Sequence, residues 1–587
     1  MQDYSSLVTS TQFSVILLLL STAARVHATE DTFLIRTLST GKILGKRVDG
    51  SNGTLIGYQY NGIPYAQVPL KDLRYRNPLP PKSWNNTLVA KQFRKSCSET
   101  LLISNETTQV EDCLYLNVFS PWSCMKFRNC SIAFLIPDYK QSSADVIGYI
   151  DENVVVVSTS YRIASFGFLN VNPLKDTAQD KNVGLYDIIE SLFWIKREIV
   201  NFGGNALNVT MISSGNGAVL ADLLSLSPLS EGLFSRLVLI SGSAAFRALS
   251  NASDCFASRQ LSVQAKCAEN YTKFADVDAS NVVLECLRSR DARYIETFEA
   301  RFAERGLRLG HPSAGPTQKL FPTSLRNLTL MRRPIAVLLI VSKIERLRDE
   351  SLVIRGKPDM KRLGLICERL AGLSDEFRER CLHIYSSVRI VDIYNDYRIH
   401  SASVETAETV SAASGSSFLF ESIVNFAIDD VFRNRSSIKT PLLQEAVTSF
   451  ILTAVPMLQG HSVDEFRSTA HTYYEINKGF YSKRSSFRRE QCDFWNNVKR
   501  TFPVEDRVSC NADSDAVMEQ TFLSNTVNKS EPGPYRGVKK SPRARNPAEI
   551  GLFSVAIFVI TISFMAVLLT CVRLCVNSFV HINYQRL

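Results

Sequence analysis

Five short apolar runs rich in β-branched residues constrain this chain most: Ile132 to Ile136, Val154 to Ser158, Val209 to Ile212, Leu237 to Ile240 and Ile335 to Val341. Each is continuous rather than alternating, as expected of a strand buried on both faces of a parallel sheet. Between the second and third runs, Tyr186 to Val200 sets Ile188, Ile189, Leu192, Ile195 and Ile199 at helical spacing and closes at Asn201 and Gly203. Strand, helix, strand in that order predicts a right-handed crossover and an α/β sheet. No repeat and no long Pro, Gly or Ser linker interrupts the stretch between about Thr29 and Thr501, so one large domain over residues 29–510 is the expected organisation.

Two further apolar blocks set the expected topology. Phe13 to Leu20 is too short to span a bilayer and leads to Val26, His27 and Ala28, which predicts a secretory signal over residues 1–28. Ile550 to Val572 is long and uncharged, which predicts one transmembrane helix. Residues 511–549 mix prolines with basic residues and read as a juxtamembrane stalk, and residues 573–587 form a short cytoplasmic tail. The polar tail argues against a lipid-anchor signal. The basic stalk opposes a type I orientation, but a signal that has already committed a large domain to translocation overrides it. Sequons at Asn52, Asn85, Asn105, Asn129, Asn208, Asn251, Asn270, Asn327, Asn434 and Asn528 predict a glycosylated ectodomain. Of 13 cysteines, all but Cys571 and Cys575 precede the span, which fits an oxidising compartment.

Composition excludes several classes. Charged residues at 21% are too ordinary for wholesale disorder. A mean hydropathy of -0.03 leaves no room for a bundle of spans. The net charge of +10 owes half its size to Arg536, Lys539, Lys540, Arg543 and Arg545 in one stretch, so no nucleic-acid partner is expected.

Longer motifs then carry a resemblance. Glu111-Asp112-Cys113-Leu114-Tyr115-Leu116-Asn117-Val118, Gly62-Ile63-Pro64-Tyr65-Ala66, Tyr161-Arg162 with Phe166-Gly167-Phe168-Leu169, Asn182 to Asp187, Trp194 and Phe202-Gly203-Gly204-Asn205 resemble the type-B carboxylesterase and cholinesterase family. The resemblance covers roughly residues 35 to 500 and implies an α/β-hydrolase fold. It implies disulfides Cys97 to Cys113 and Cys267 to Cys286, the first able to add about 3 kcal/mol by loop entropy. Spacing alone suggests Cys124 with Cys130, Cys367 with Cys381 and Cys492 with Cys510, leaving Cys255 over.

The same resemblance locates the family's chemistry. Active members carry their serine in a G-E-S-A-G elbow between strand and helix, and the matching residues here are Ser213-Ser214-Gly215-Asn216-Gly217. The nucleophile position is then Gly215; a shift to Ser214 would turn the hydroxyl into the scaffold. The oxyanion glycines are replaced at Asp138, Tyr139 and Lys140, and losing a single oxyanion donor typically costs about 10² to 10³ in rate. The triad carboxylate position is Glu345, followed by Arg346, and the histidine position is Leu442, with Glu445 at the glutamate of the H-x-x-E segment. His461 and His471 follow too late and read as solvated loop and helix residues. Because a triad acts as a unit, the expectation is that the chain is not an enzyme.

The family includes a catalytically silent adhesion branch, among them neuroligins and gliotactin, whose topology this chain shares. Resemblance to that branch implies a plasma-membrane, single-pass type I protein whose ectodomain binds the ectodomain of another cell-surface protein, and homodimerisation through a helix at Phe487 to Phe502 with Cys492, Trp495 and Val498 on its stripe. A stripe like that is more often plain core. The tail end, Tyr584-Gln585-Arg586-Leu587, lacks the usual PDZ-ligand Ser or Thr. Alternatives are a membrane-anchored carboxylesterase with an atypical nucleophile such as Ser214, and a carrier of a small apolar ligand in the gorge. No cofactor and no metal is expected. Lys540, Arg543 and Arg545 mark a candidate shedding site, or a basic patch lying on acidic headgroups.

Overall fold

The computed structural model describes residues 33–50, 52–95, 97, 111–138, 142–170, 182–246, 252–269, 277–304, 312, 319–343, 360–371, 374–386, 390–423, 441–477 and 479–501. The expected signal over 1–28, stalk over 511–549, span over 550–572 and tail over 573–587 lie outside them. The chain divides into units Met1–Glu519 and Gln520–Leu587, and every described residue belongs to the first. Among the described residues no helix is long and apolar enough to cross a membrane.

The core is an eleven-stranded sheet. Its strands are β1 Lys46–Asp49, β2 Leu55–Pro64, β3 Tyr115–Pro121, β4 Cys130–Ile136, β5 Val154–Thr159, β6 Gly204–Ser214, β7 Arg236–Ile240, β8 Ala336–Ser342, β9 Ser417–Ser422, β10 Tyr473–Ile476 and β11 Tyr481–Arg484. They lie in the order β11-β10-β9-β8-β7-β6-β4-β5-β3-β2-β1. From β10 to β5 every neighbouring pair is parallel, and the two flanks are antiparallel. All five apolar runs are strands of the parallel part, and β4 and β5 are buried at every position. That follows from helices on both faces, which leave no solvated side for a polar residue to occupy.

The pleat divides those apolar residues between two layers. Ile132, Phe134, Ile136, Val209, Met211, Leu237 and Leu239 enter one cluster with helices α1 Val183–Glu198, α2 Asn216–Leu226 and α3 Ser401–Ala412. Ala133, Leu135, Ile212, Val238 and Ile240 enter the other, with helix α4 Pro441–Thr453. This is the period of two expected along a strand, with both phases apolar. Helix α1 begins three residues before the expected Tyr186 and passes through a short 3-10 turn to Gly203, at φ +79, which reverses the chain into β6.

The motif residues hold these layers together. Arg162 donates from Nε and its backbone N–H to Asp187 Oδ2 at 2.8 and 3.0 Å, and from Nη2 to Oδ1 at 2.7 Å. Both side chains are buried, so the pair needs that full set of bonds to offset its desolvation. Asn117 accepts from the Gly62 amide and donates to Ser143 and Ser158, joining β3 to β2 and β5. Arg74 grips Glu111 bidentately at 2.6 Å through each nitrogen. Helix α5 Arg489–Thr501 closes the described chain against a helix pair, Met360–Ala371 and Asp375–Tyr385, joined by Cys367–Cys381. Trp495 and Val498 of the stripe are buried against that pair, Cys492 is buried instead in the cluster that holds α1, α2 and α3, and Trp495 Nε1 donates to Tyr385 Oη at 2.7 Å.

Candidate functional site at the strand-to-helix elbow

Strand β6 ends at Ser214 and helix α2 begins at Asn216, so Gly215 alone makes the turn. It sits at φ +57, ψ −127, a backbone state that side-chain-bearing residues rarely hold. Its N–H donates to Ile240 O at 2.9 Å and its carbonyl accepts from Val219. Neighbouring glycines permit this tightness. A Cβ on Gly242 would lie 2.3 Å from Gly215 O, and one on Gly217 would lie 2.3 Å from Ser213 Oγ. Of the serines preceding the turn, Ser213 is committed to the scaffold, its Oγ donating to Ile136 O at 2.6 Å, while Ser214, paired in register with Ile240, is 8% exposed.

Across the elbow stands Asp138, two residues past the end of β4. Its Oδ1 accepts from the Asn216 N–H at 3.2 Å, so a carboxylate of the chain itself occupies the anion-receptive start of α2. A Cβ at position 215 would meet Asp138 Oδ2 at 3.0 Å and Cγ at 3.2 Å. Beneath it, Tyr161 donates to Pro137 O at 2.9 Å, and burial, aided by Asp138, pushes its phenol far above the ordinary value. Tyr139 and Lys140 lie outside the described residues.

Glu345 lies outside the described residues, just past β8. Leu442, in the first turn of α4, is buried in the apolar cluster with Ile240, Leu338 and Phe420. Glu445 accepts from the amides of Gln459 and Gly460 at 3.0 and 2.9 Å, closing a surface turn. Two histidine expectations need correction. His461 belongs to a two-residue strand rather than a loop. His471 is not solvated but 2% exposed, with Nε2 3.6 Å from Glu408 Oε1, because the turn carrying it folds back under α3 and α5.

A profile of the carboxylesterase family matches residues 33–344, more than half of the chain. The chain belongs to the carboxylesterase family. It is 31% identical to the cholinesterase of Mus musculus over 314 residues, 50% of this chain and 50% of that protein. It is 31% identical to venom carboxylesterase-6 of Apis mellifera over 245 residues, covering 40% and 42%, and 30% identical to carboxylesterase 5A of Mus musculus over 267 residues, covering 42% and 45%. The chain thus spans about half the length of the curated relatives it matches. These relatives bear the names of ester hydrolases, which overturns the expectation that the chain is not an enzyme. Within this carboxylesterase-family fold, glycine at 215 and the carboxylate of Asp138 are facts of geometry. They do not show that hydrolysis is lost.

Among the described residues four disulfides are formed: Cys97–Cys113, Cys124–Cys130, Cys267–Cys286 and Cys367–Cys381. Spacing misled at Cys492, which is a free, fully buried thiol on α5; Cys510 lies outside the described residues, as does the side chain of Cys255. Burial, then Asp396, drives the Cys492 thiol well above its usual range. Asn52, Asn85, Asn129 and Asn327 are exposed, whereas Asn208 is half-buried and donates from Nδ2 to Ser131 Oγ at 2.7 Å. Asn105, Asn251, Asn270, Asn434 and Asn528 lie outside the described residues.

One buried cluster escaped the sequence. Asp396 Oδ1 lies 2.7 Å from His400 Nδ1 and 2.9 Å from Arg488 Nη1, while Tyr385 donates to Oδ2 at 3.2 Å. His400 and Asp396 are 1% and 2% exposed, so the group braces the ends of β8 and β9 rather than facing a ligand. Its only local signature is Asp and His four apart on a helix. Among the described residues no group of His, Cys, Asp or Glu could hold a metal ion.

Proposed function

We propose that this carboxylesterase-family chain is a single-pass type I protein of the plasma membrane whose glycosylated ectodomain recognises the ectodomain of another cell-surface protein. The reading rests on the four formed disulfides. Such a set belongs to a fold matured in an oxidising compartment. Exposed sequon asparagines at Asn52, Asn85, Asn129 and Asn327, on separate elements, support the same address. A fixed carboxylate at the mouth of the elbow further suits recognition of a partner's polar surface. Cells displaying the full chain should aggregate with cells displaying its partner and should lose aggregation when the ectodomain is cleaved away. Failure of the immobilised ectodomain to retain any member of a cell-surface ectodomain library would refute recognition.

Ester hydrolysis is a second reading, supported by the family itself and by relatives named cholinesterase and carboxylesterase. With no side chain at 215, an acyl adduct would have to form elsewhere, and Ser214 is the adjacent hydroxyl. An organophosphate probe that labels the protein, and ceases to do so in Ser214→Ala, would establish it. The two activities are read by independent assays.

A further inference from the structure

A cleft of about 990 Å³ opens far along the chain from the elbow residues, between the turn carrying Lys71, Arg74 and Arg76 and the segment from Glu285 to Arg293. Its floor is held firmly. Arg74 is fully engaged, with Glu111 on one side and the carbonyls of Leu287 and Arg290 at 2.8 and 2.7 Å on the other. Arg288 Nε donates back to Arg74 O at 2.9 Å, and Cys267–Cys286 ties the helix bearing Arg288 to the preceding helix. Lys71 and Tyr75 hold left-handed backbone at φ 50 and 59, a cost that only a well-determined loop sustains.

With Arg74 neutralised by Glu111, the cations left lining the cleft are Lys71, Arg76, Arg288, Arg290 and Arg293. Among the described residues Arg76 makes no ion pair, and Arg288 binds only the Arg74 carbonyl. Arg290 donates from Nη2 to Lys266 O at 3.2 Å, but its Nε is buried with no acceptor. Asp72 and Glu285 line the same cleft and temper its field without pairing with these guanidiniums, and Asp291 accepts the Arg293 N–H at 2.8 Å. Partial burial, then the charge of Arg76, lowers the Arg288 guanidinium from its usual value, against smaller opposing pulls from Glu285 and Asp72.

We propose that this cleft binds a tetrahedral oxyanion, a sulfate or phosphate ester, through the converging guanidiniums of Arg76, Arg288 and Arg290. The planar donor fork of arginine matches such oxyanions bidentately, and a half-enclosed site strengthens each bond. The test uses the purified full chain at constant ionic strength. Inorganic sulfate, inorganic phosphate, a sulfated disaccharide and inositol trisphosphate are titrated against sodium chloride by calorimetry and thermal melting. At least one ester should bind and raise the melting temperature, with Arg76→Gln and Arg288→Gln each weakening it about tenfold and Lys82→Gln, outside the cleft, leaving it unchanged. Preference for the disaccharide assigns the site to sulfated glycans, and preference for inositol trisphosphate assigns it to phosphates. Binding no stronger than chloride, or wild-type affinity in Arg76→Gln, overturns the proposal. Arg76 is exposed, so that variant decides even if Arg288→Gln fails to fold.

Discussion

Replacing Gly215 by alanine tests the elbow directly. The backbone there, φ +57 with ψ −127, should cost a side-chain-bearing residue about 1 to 3 kcal/mol. The new methyl carbon would also sit 3.0 Å from Asp138 Oδ2 and 3.2 Å from Cγ, tighter than most contacts of a Cβ, so the carboxylate must give by a few tenths of an ångström and loosen its bond to the Asn216 amide. Adding that partial loss of a helix cap, worth about 1 kcal/mol, brings the expected destabilisation of Gly215→Ala to about 2 to 4 kcal/mol. Asp138→Ala removes the cap and the clash together. The double variant should therefore be more stable than the sum of the singles by at least about 0.5 kcal/mol. Urea denaturation of the four proteins, compared at equal m-value, measures the coupling. Additivity within about 0.3 kcal/mol would show that Asp138 does not press on position 215, and the description of the elbow would be wrong.

Other outcomes follow from the same contacts. Asp187→Ala should destabilise the protein by about 3 to 5 kcal/mol, because it leaves Arg162 buried without its partner; an effect under about 1 kcal/mol, the size expected at exposed Asp464 with Lys483, would refute the burial. Glu299 is buried, and desolvation pushes its carboxyl up from 4.5 to about 7. The folded state thus holds this proton more tightly than the unfolded chain does. Its stabilising contribution is complete below about pH 4.5 and disappears as pH rises through about 7. Glu299→Gln should flatten that fall in chemical-denaturation profiles, and an unchanged slope would contradict the shift. Alkylation under native conditions should spare Cys492, while denatured, unreduced protein should be labelled there. Recovery of Cys492 in a disulfide-linked peptide with Cys510 would contradict the buried thiol.

The parallel half of the sheet was legible because a strand covered on both faces has one solution, a short continuous β-branched run, and that pattern is local. The flanks were not. Strands β10, Tyr-Tyr-Glu-Ile, and β11, Tyr-Ser-Lys-Arg, are only four residues each and draw their structure from pairing, β10 with β9 and β11 with β10, which no local pattern reports. The thiol of Cys492 shows the limit of spacing: its position suits a bridge, yet the core cluster it shares with α3 encloses it. His471 misled for a related reason: it reads as a solvated helix residue, whereas it sits in a turn, buried with Nε2 3.6 Å from Glu408 Oε1. The cluster around Asp396 was illegible because Arg488, its cation, comes from 92 residues further along the chain.

By itself the amino-acid sequence determined the class of fold, the residues of the parallel core and the glycine between Ser214 and Asn216, since each depends on side-chain character within a few neighbouring positions. Only the tertiary structure decided what faces that glycine. Asp138 reaches the start of α2 because β4 and β6 are adjacent in the sheet although 77 residues separate Ile136 from Ser213 in the chain. Electrostatics and packing act through space, and chain distance carries no record of it.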